Sequence, residues 1–319
     1  MLAKVLVFVA MLMGTVILPE VAIGQETFRV TLLGTGTPTP HPQRFGPATL
    51  VEAGNQKLLF DAGRGVPIRL SELRIPMARI DTLFITHYHS DHVSGIPDLW
   101  LTGWLPAGGQ RKLPFRVIGP TGAKALMANL ERAYADDVRI RIADQKLAPT
   151  GATVITEECA SDGVVYERDG VRVTAFEVDH GVEIKPAYGY RIDYKGKSVL
   201  ISGDTRFSEN LIRNGMGVDL LVHAIAGSKP ELLQDPVVRL ILDHHTLPAQ
   251  AATVFNRTKP KLAVYTHFVL QRTETVSPPT VEEIVAETRK TYAGPLQAGE
   301  DLMSFDITQA GVTVNRPPQ

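Results

Sequence analysis

The chain has 319 residues, 44% of them hydrophobic and 21% charged, with 33 Lys+Arg against 34 Asp+Glu. This is globular composition, which excludes a fibrous, low-complexity or wholly disordered protein. Near-neutral charge excludes a general cationic field for nucleic acid, and the single cysteine, Cys159, excludes an intramolecular disulfide.

The N-terminus reads as a secretory signal. Lys4 gives a positive start, residues 5–18 form an apolar run of 14, Pro19 breaks it, and Ala22-Ile23-Gly24 places small residues before Gln25. A spanning helix needs about 20 residues, so cleavage is expected after residue 24. The expected mature protein is one domain, 25–319, periplasmic or secreted, with no stable membrane association.

A strand is predicted at 28–33, followed by the loop Gly34-Thr35-Gly36-Thr37-Pro38-Thr39-Pro40. Residues 49–53 and 57–60 read as a hairpin turning at Gly54-Asn55. Asp61-Ala62-Gly63-Arg64-Gly65 then opens a helix reaching Leu70 and Leu73. A buried strand at 82–86 runs into Thr86-His87-Tyr88-His89-Ser90-Asp91-His92. Three histidines and an aspartate fall within six positions, and imidazole with carboxylate is the ligand set of a borderline metal such as zinc.

Trp100 and Trp104 share a helix face, which suits either a cleft wall or a buried face. Residues 115–118 read as a strand and 122–134 as a helix with Leu126, Leu130 and Tyr134 on one side. Strands are expected at 171–178, 188–194, 197–201, 218–222 and 262–265. A helix at 247–256 lies between the last two, and Ser277-Pro278-Pro279-Thr280 introduces a final helix through Lys290. Polar ligand types follow three of these strands: His180, Asp204 and His267. Hairpins alternating with helices suit two packed mixed sheets with helices outside.

The ordered set Leu33-Gly-Thr-Gly-Thr-Pro-Thr-Pro, Phe60-Asp-Ala-Gly, Thr86 to His92, Asp179-His180, Tyr188-Gly-Tyr-Arg, Ser202-Gly-Asp204-Thr and Thr266-His267 resembles the metallo-β-lactamase superfamily across 28–306. The likeness is greatest to the branch holding RNase Z and zinc-dependent arylsulfatases. The resemblance implies an α/β (α+β) fold, an αββα sandwich. It implies two Zn²⁺, or other divalent transition metals: one on His87, His89 and His180, the other on Asp91, His92 and His267, with Asp204 bridging. Such a pair lowers the pKa of water from 15.7 towards about 7 and clamps an ester oxygen.

Asp91 and His245 are the expected catalytic residues. His245, within His244-His245-Thr246 before Gln250-Ala251-Ala252, occupies the place of the family's proton-donating histidine. Asp61 is either a support for a ligand imidazole or a helix cap. RNase Z commonly has His-Glu-Ala where this chain has His223-Ala224-Ile225, and Asp243 is the candidate substitute for the missing acid. Arg44 is a candidate contact for an anionic substrate, with a surface arginine as its other reading.

The expected reaction is hydrolysis of small sulfate or phosphate esters, as an exported arylsulfatase or phosphodiesterase using a metal-bridging hydroxide. The export signal, the neutral charge and Ala224 weigh against nucleic acid as a partner. RNase Z-type tRNA 3′ endonuclease, β-lactamase or lactonase, and a non-enzymatic metal-binding protein are the alternatives, and homodimerisation stays open.

Overall fold

The computed structural model describes residues 27–317. The signal reading of 1–24 lies outside the described residues. Among those described, no helix is long and apolar enough to cross a membrane.

The first half of the chain builds one sheet: β1 (Phe28–Gly34), β2 (Ala48–Ala53), β3 (Gln56–Phe60), β4 (Thr82–Phe84), β5 (Phe115–Pro120) and β6 (Val154–Cys159). Along it run α1 (Val66–Glu72), α2 (Ser90–Val93), α3 (Ile96–Trp104), α4 (Ala123–Ala133) and α5 (Ala135–Gln145). The second sheet takes β7 (Gly163–Arg168), β8 (Val171–Val178), β9 (Ala187–Tyr194), β10 (Lys197–Ile201), β11 (Leu220–Gly227), β12 (Leu262–Leu270) and β13 (Leu296–Ala298). Its helices are α6 (Glu209–Gly215), α7 (Pro236–Leu242), α8 (Pro248–Thr258) and α9 (Val281–Arg289). β14 (Ser304–Thr308) and β15 (Gly311–Asn315) then return to the first sheet beside β1.

Both sheets are mixed. Hairpins give antiparallel pairs at β1–β2–β3 and β8–β9–β10, whereas helical crossovers give parallel pairs at β3–β4–β5 and β10–β11–β12. The antiparallel turn at Lys195-Gly196 has both residues at positive φ, 50° and 72°, the geometry of a two-residue hairpin.

The sheets pack face to face over Val30, Leu32, Phe60, Phe84, Tyr190 and Val222. Successive strand side chains point to opposite faces. Leu58 and Phe60 therefore enter this central core while Leu59 turns outward to Leu83 and Trp100 under α1 and α3. On the other side Phe176, Leu200 and Leu221 meet Val254 and Phe255 of α8. Strands covered on both faces read as continuous apolar runs rather than alternations. Each such fully buried side chain contributes about 1.5–3 kcal/mol through removal from water.

The expected sandwich of two mixed sheets with helices outside is the architecture observed. Two strands run longer than expected, β11 to Gly227 and β12 to Leu270. Trp100 and Trp104 are 1% exposed and donate their indole N–H to Ala152 O and Ala148 O. They form a buried helix face. Cys159 is buried, with Sγ 3.1 Å from Gly119 O.

Candidate metal centre

The first-sheet contribution begins where β3 and β4 end. Parallel pairing brings Phe60 beside Phe84, so the residues just beyond both strands emerge together. Asp61 leaves β3 at φ 60°, a left-handed conformation that costs a non-glycine residue energy. Its carboxylate is fully engaged. Oδ1 accepts Thr86 N at 2.8 Å, and Oδ2 accepts Thr86 Oγ1 at 2.8 Å and His92 Nδ1 at 2.7 Å. The N-cap of α1 is Gly65, so Asp61 is not a helix cap.

A chain of donors follows from this. Thr86 Oγ1 gives its hydrogen to Asp61, so it accepts from His87 Nδ1, 3.0 Å away. His180, after β8, donates Nδ1 to the backbone carbonyl of His244 at 2.9 Å. In His87, His92 and His180 the Nδ1–H is thus tied outward, and Nε2 is left bare toward the centre. Outward anchoring of this kind sets the tautomer of a metal-binding imidazole.

The inward atoms converge. His89 Nδ1 lies 3.0 Å from His87 Nε2 and 3.2 Å from His180 Nε2. His267 Nε2 is 2.9 Å from Asp204 Oδ2 and 3.5 Å from Asp91 Oδ2. His92 Nε2 is 3.5 Å from Asp204 Oδ2, and His180 Nε2 is 3.8 Å from it. Two groups can each hold a cation: His87, His89, His180 and Asp204, and Asp91, His92 and His267. Asp204 reaches both groups, with its nearest nitrogen in the second.

Backbone irregularity aims two of these side chains. β12 carries a bulge opposite Ala224 and Ile225, and His267 sits in it at φ 45°. A bulged residue leaves the alternation of its strand and is re-aimed. The strand continues through the site instead of ending at it. Gly203, before Asp204, adopts φ 59°, and a Cβ there would lie 2.6 Å from Tyr188 O.

The residues fit metal ions. Asp91 Oδ2, His92 Nε2 and His267 Nδ1 are buried and, among the described residues, without a hydrogen-bond partner. Buried polar atoms without partners are costly, and a cation meets that need for those facing inward. Burial, then the charge of His92, pushes His87 well below the ordinary imidazole value. Burial lowers His89 and His180 as well. Burial opposes charge on His92, but Asp204 and Asp61 outweigh it and raise His92 well above that value. Asp204 is held well below the carboxylate range by His267 and His92 against the effect of burial. The carboxylates that raise His92 also favour a metal cation there.

His245 stands beside this centre, its ring 5.0 Å from that of His180 and Nδ1 4.0 Å from Asp204 Oδ2. Burial pushes its imidazole down to about 3. Its Nδ1 is buried and has no hydrogen-bond partner. Ala224 is buried on β11 and supplies no acid, and Asp243 is exposed and leaves that nitrogen unpartnered. Asp243 therefore does not replace the absent glutamate. Arg44 is neither free nor aimed at the centre. It donates to Thr35 Oγ1 and Gly299 O and lies over the Phe268 ring at 4.5 Å. The carbonyl of His244 was not legible as a site group, because a backbone acceptor leaves no residue-type signal.

A family profile described as the Beta-lactamase superfamily domain matches residues 56–268. The chain belongs to the metallo-β-lactamase superfamily and is a metal-dependent hydrolase with the geometry of a dinuclear metal site. Within the superfamily it falls in the RNase Z branch. It is 36% identical to ribonuclease Z of Mycobacterium avium over 280 residues, covering 87% of this chain and 98% of that protein. It is 35% identical to ribonuclease Z of Mycolicibacterium gilvum, covering 87% and 96%. Human tRNase Z, short form, superposes with a TM-score of 0.63 at 22% identity, covering 86% of this chain and 98% of that one. The metallo-beta-lactamase fold protein YhfI from Bacillus subtilis gives 0.67 at 17%, covering 88% and 100%.

These relatives correct two expectations. The arylsulfatase reading, with a small anionic ester as substrate, gives way to the RNase Z alternative, since the curated relatives are named ribonuclease Z and match almost end to end. The expectation that nucleic acid is an unlikely partner, drawn from the export signal, the neutral charge and Ala224, is corrected by the same relatives. Net charge sums the whole surface and says little about one cleft.

Proposed function

We propose that the chain is a ribonuclease of the Z type, a dizinc phosphodiesterase that cuts RNA at the 3′ side of tRNA. The observation that carries this reading is the convergence of seven ligand-type side chains in a chain that matches ribonuclease Z relatives nearly end to end. His87, His89 and His180 would hold one ion and Asp91, His92 and His267 the other, with Asp204 reaching both. Buried imidazole nitrogens and carboxylate oxygens suit zinc. Bound in pairs, such ions polarise a phosphoryl group and activate water.

The protein's own residues do the rest. Asp61 and Thr86 keep His87 and His92 in the tautomer that leaves Nε2 free. Asp204, held well below the carboxylate range, keeps the centre anionic. His245 stands beside the centre, within reach of a bound phosphodiester, and would serve the leaving oxygen as proton donor. We propose export as well, with Gln25 as the mature N-terminus. Intact-mass measurement on protein from the extracytoplasmic fraction tests it, and a chain still beginning at residue 1 there contradicts it.

The test of the reaction is cleavage of a labelled RNA by purified protein, stripped with chelator and reloaded with zinc. Cleavage lost on stripping and restored by zinc supports the reading. RNA left intact by the zinc-loaded protein overturns it.

A further inference from the structure

A cleft of about 800 Å³, with His245 in its lining, lies between the residues after β8 and the end of α7. Val182, Ile184, Leu240 and Leu247 line it, and Val182 and Leu240 are 75% and 60% exposed. Such exposed apolar side chains beside a reaction centre mark a surface that a flat apolar group can cover.

Among the described residues, Arg206 is the one arginine or lysine lining this cleft. Its backbone N–H is pinned to Asp179 O at 2.7 Å, but its side chain is not paired closely. Nε stands 3.8 Å from Asp179 Oδ1, which already accepts Gly181 N at 3.0 Å. Nε is buried and has no hydrogen-bond partner. Gly181, at φ 124°, keeps space open beside it: a Cβ there would meet His244 Cδ2 at 3.1 Å and Arg206 Nη2 at 3.6 Å. An open cradle thus adjoins a guanidinium with donors to spare. Glu183 and Asp243 also line the cleft, and their carboxylates oppose a run of further phosphates.

We propose that this cleft is a one-nucleotide subsite for the leaving side of the substrate, a deduction that rests on the phosphodiesterase reading above. Water adds to the scissile phosphorus as the P–O3′ bond breaks, O3′ takes its proton from His245 and departs as a 3′-hydroxyl, and His245 lines the cleft. Its apolar walls hold the base of the departing nucleotide. The Arg206 guanidinium pairs with the one phosphate flanking the scissile bond, in the bidentate manner its planar fork allows.

Two measurements on the zinc-loaded protein test this. In the first, calorimetry compares adenosine 3′,5′-bisphosphate with adenosine 3′-monophosphate, which keeps the phosphate at the metals and lacks the flanking one. The wild type is expected to bind the bisphosphate at least tenfold more tightly. Arg206→Gln is expected to erase most of that preference, and Arg206→Lys to restore part of it. Leu240→Asp is expected to weaken both ligands alike. Equal binding of the two by the wild type, or equal losses on both in Arg206→Gln, overturns the subsite. In the second, RNA cleavage is expected to fall at least tenfold further in Arg206→Gln than hydrolysis of bis(p-nitrophenyl) phosphate, which has no flanking phosphate. Equal falls overturn the proposal. If nucleotides bind as expected but no RNA is cut, the ribonuclease reading fails and the subsite stands.

Discussion

Asp61 Oδ2 accepts a 2.7 Å hydrogen bond from His92 Nδ1, and it does so from a residue held at φ 60°. The strain is tolerated because the same carboxylate also accepts the amide and hydroxyl of Thr86. Asp61→Asn is informative because asparagine tolerates this backbone region. Its amide group would present hydrogens where Thr86 or His92 already donates, reversing the His92 tautomer and placing a hydrogen on Nε2. Metal affinity is expected to fall roughly 10- to 100-fold, read by competition with a chromophoric chelator. Unchanged affinity would show that Asp61 has no part in metal binding.

Gly63 is wedged between two backbones. A Cβ there would lie 2.4 Å from the carbonyl carbon of Gly46 and 2.5 Å from Asp91 O. Neither neighbour is a flexible side chain that can swing aside. Gly63→Ala is expected to destabilise the fold by about 1–3 kcal/mol, as overpacking does, and to displace Asp91. Denaturant unfolding measures the first effect and metal content the second.

His223 predicts a pH dependence of stability. It is buried on β11, where burial lowers its imidazole to about 4. The unfolded chain, with histidine near 6.5, binds more protons than the folded one between these values. Stability from this group is therefore present above about 6.5 and declines as pH falls toward 4, by about 3 kcal/mol in total. Replacing His223 with glutamine is expected to flatten the acid side of the melting-temperature profile. An unaltered slope would assign the acid sensitivity elsewhere.

The residues brought together at the centre were legible because each follows or interrupts an apolar strand, as His87 follows β4 and Asp204 follows β10. Sequence shows the ligand type and the strand, and parallel pairing supplies the convergence. The bulge at His267 was not legible, since strand patterning continues through it to Leu270. α5 was missed because none of its residues is buried, so no apolar period marks it. β14 was missed although Phe305 and Ile307 alternate with half-buried neighbours. Ala224 is buried on β11 and offers no acid, and the Nδ1 of His245 has no hydrogen-bond partner among the described residues. Substrate class was misjudged because the export signal, the neutral net charge and Ala224 were taken to weigh against nucleic acid, whereas the relatives are named ribonuclease Z.

The most direct test of the central claim is product mapping with a precursor tRNA bearing a 3′ extension. Purified zinc-loaded protein is incubated with the end-labelled precursor beside its His89→Ala variant, and metal content is measured on both. The account predicts one cut at the 3′ side, two metals per chain in the wild type, and loss of cutting with loss of metal in the variant. Two metals bound per chain and a precursor that stays intact would contradict it.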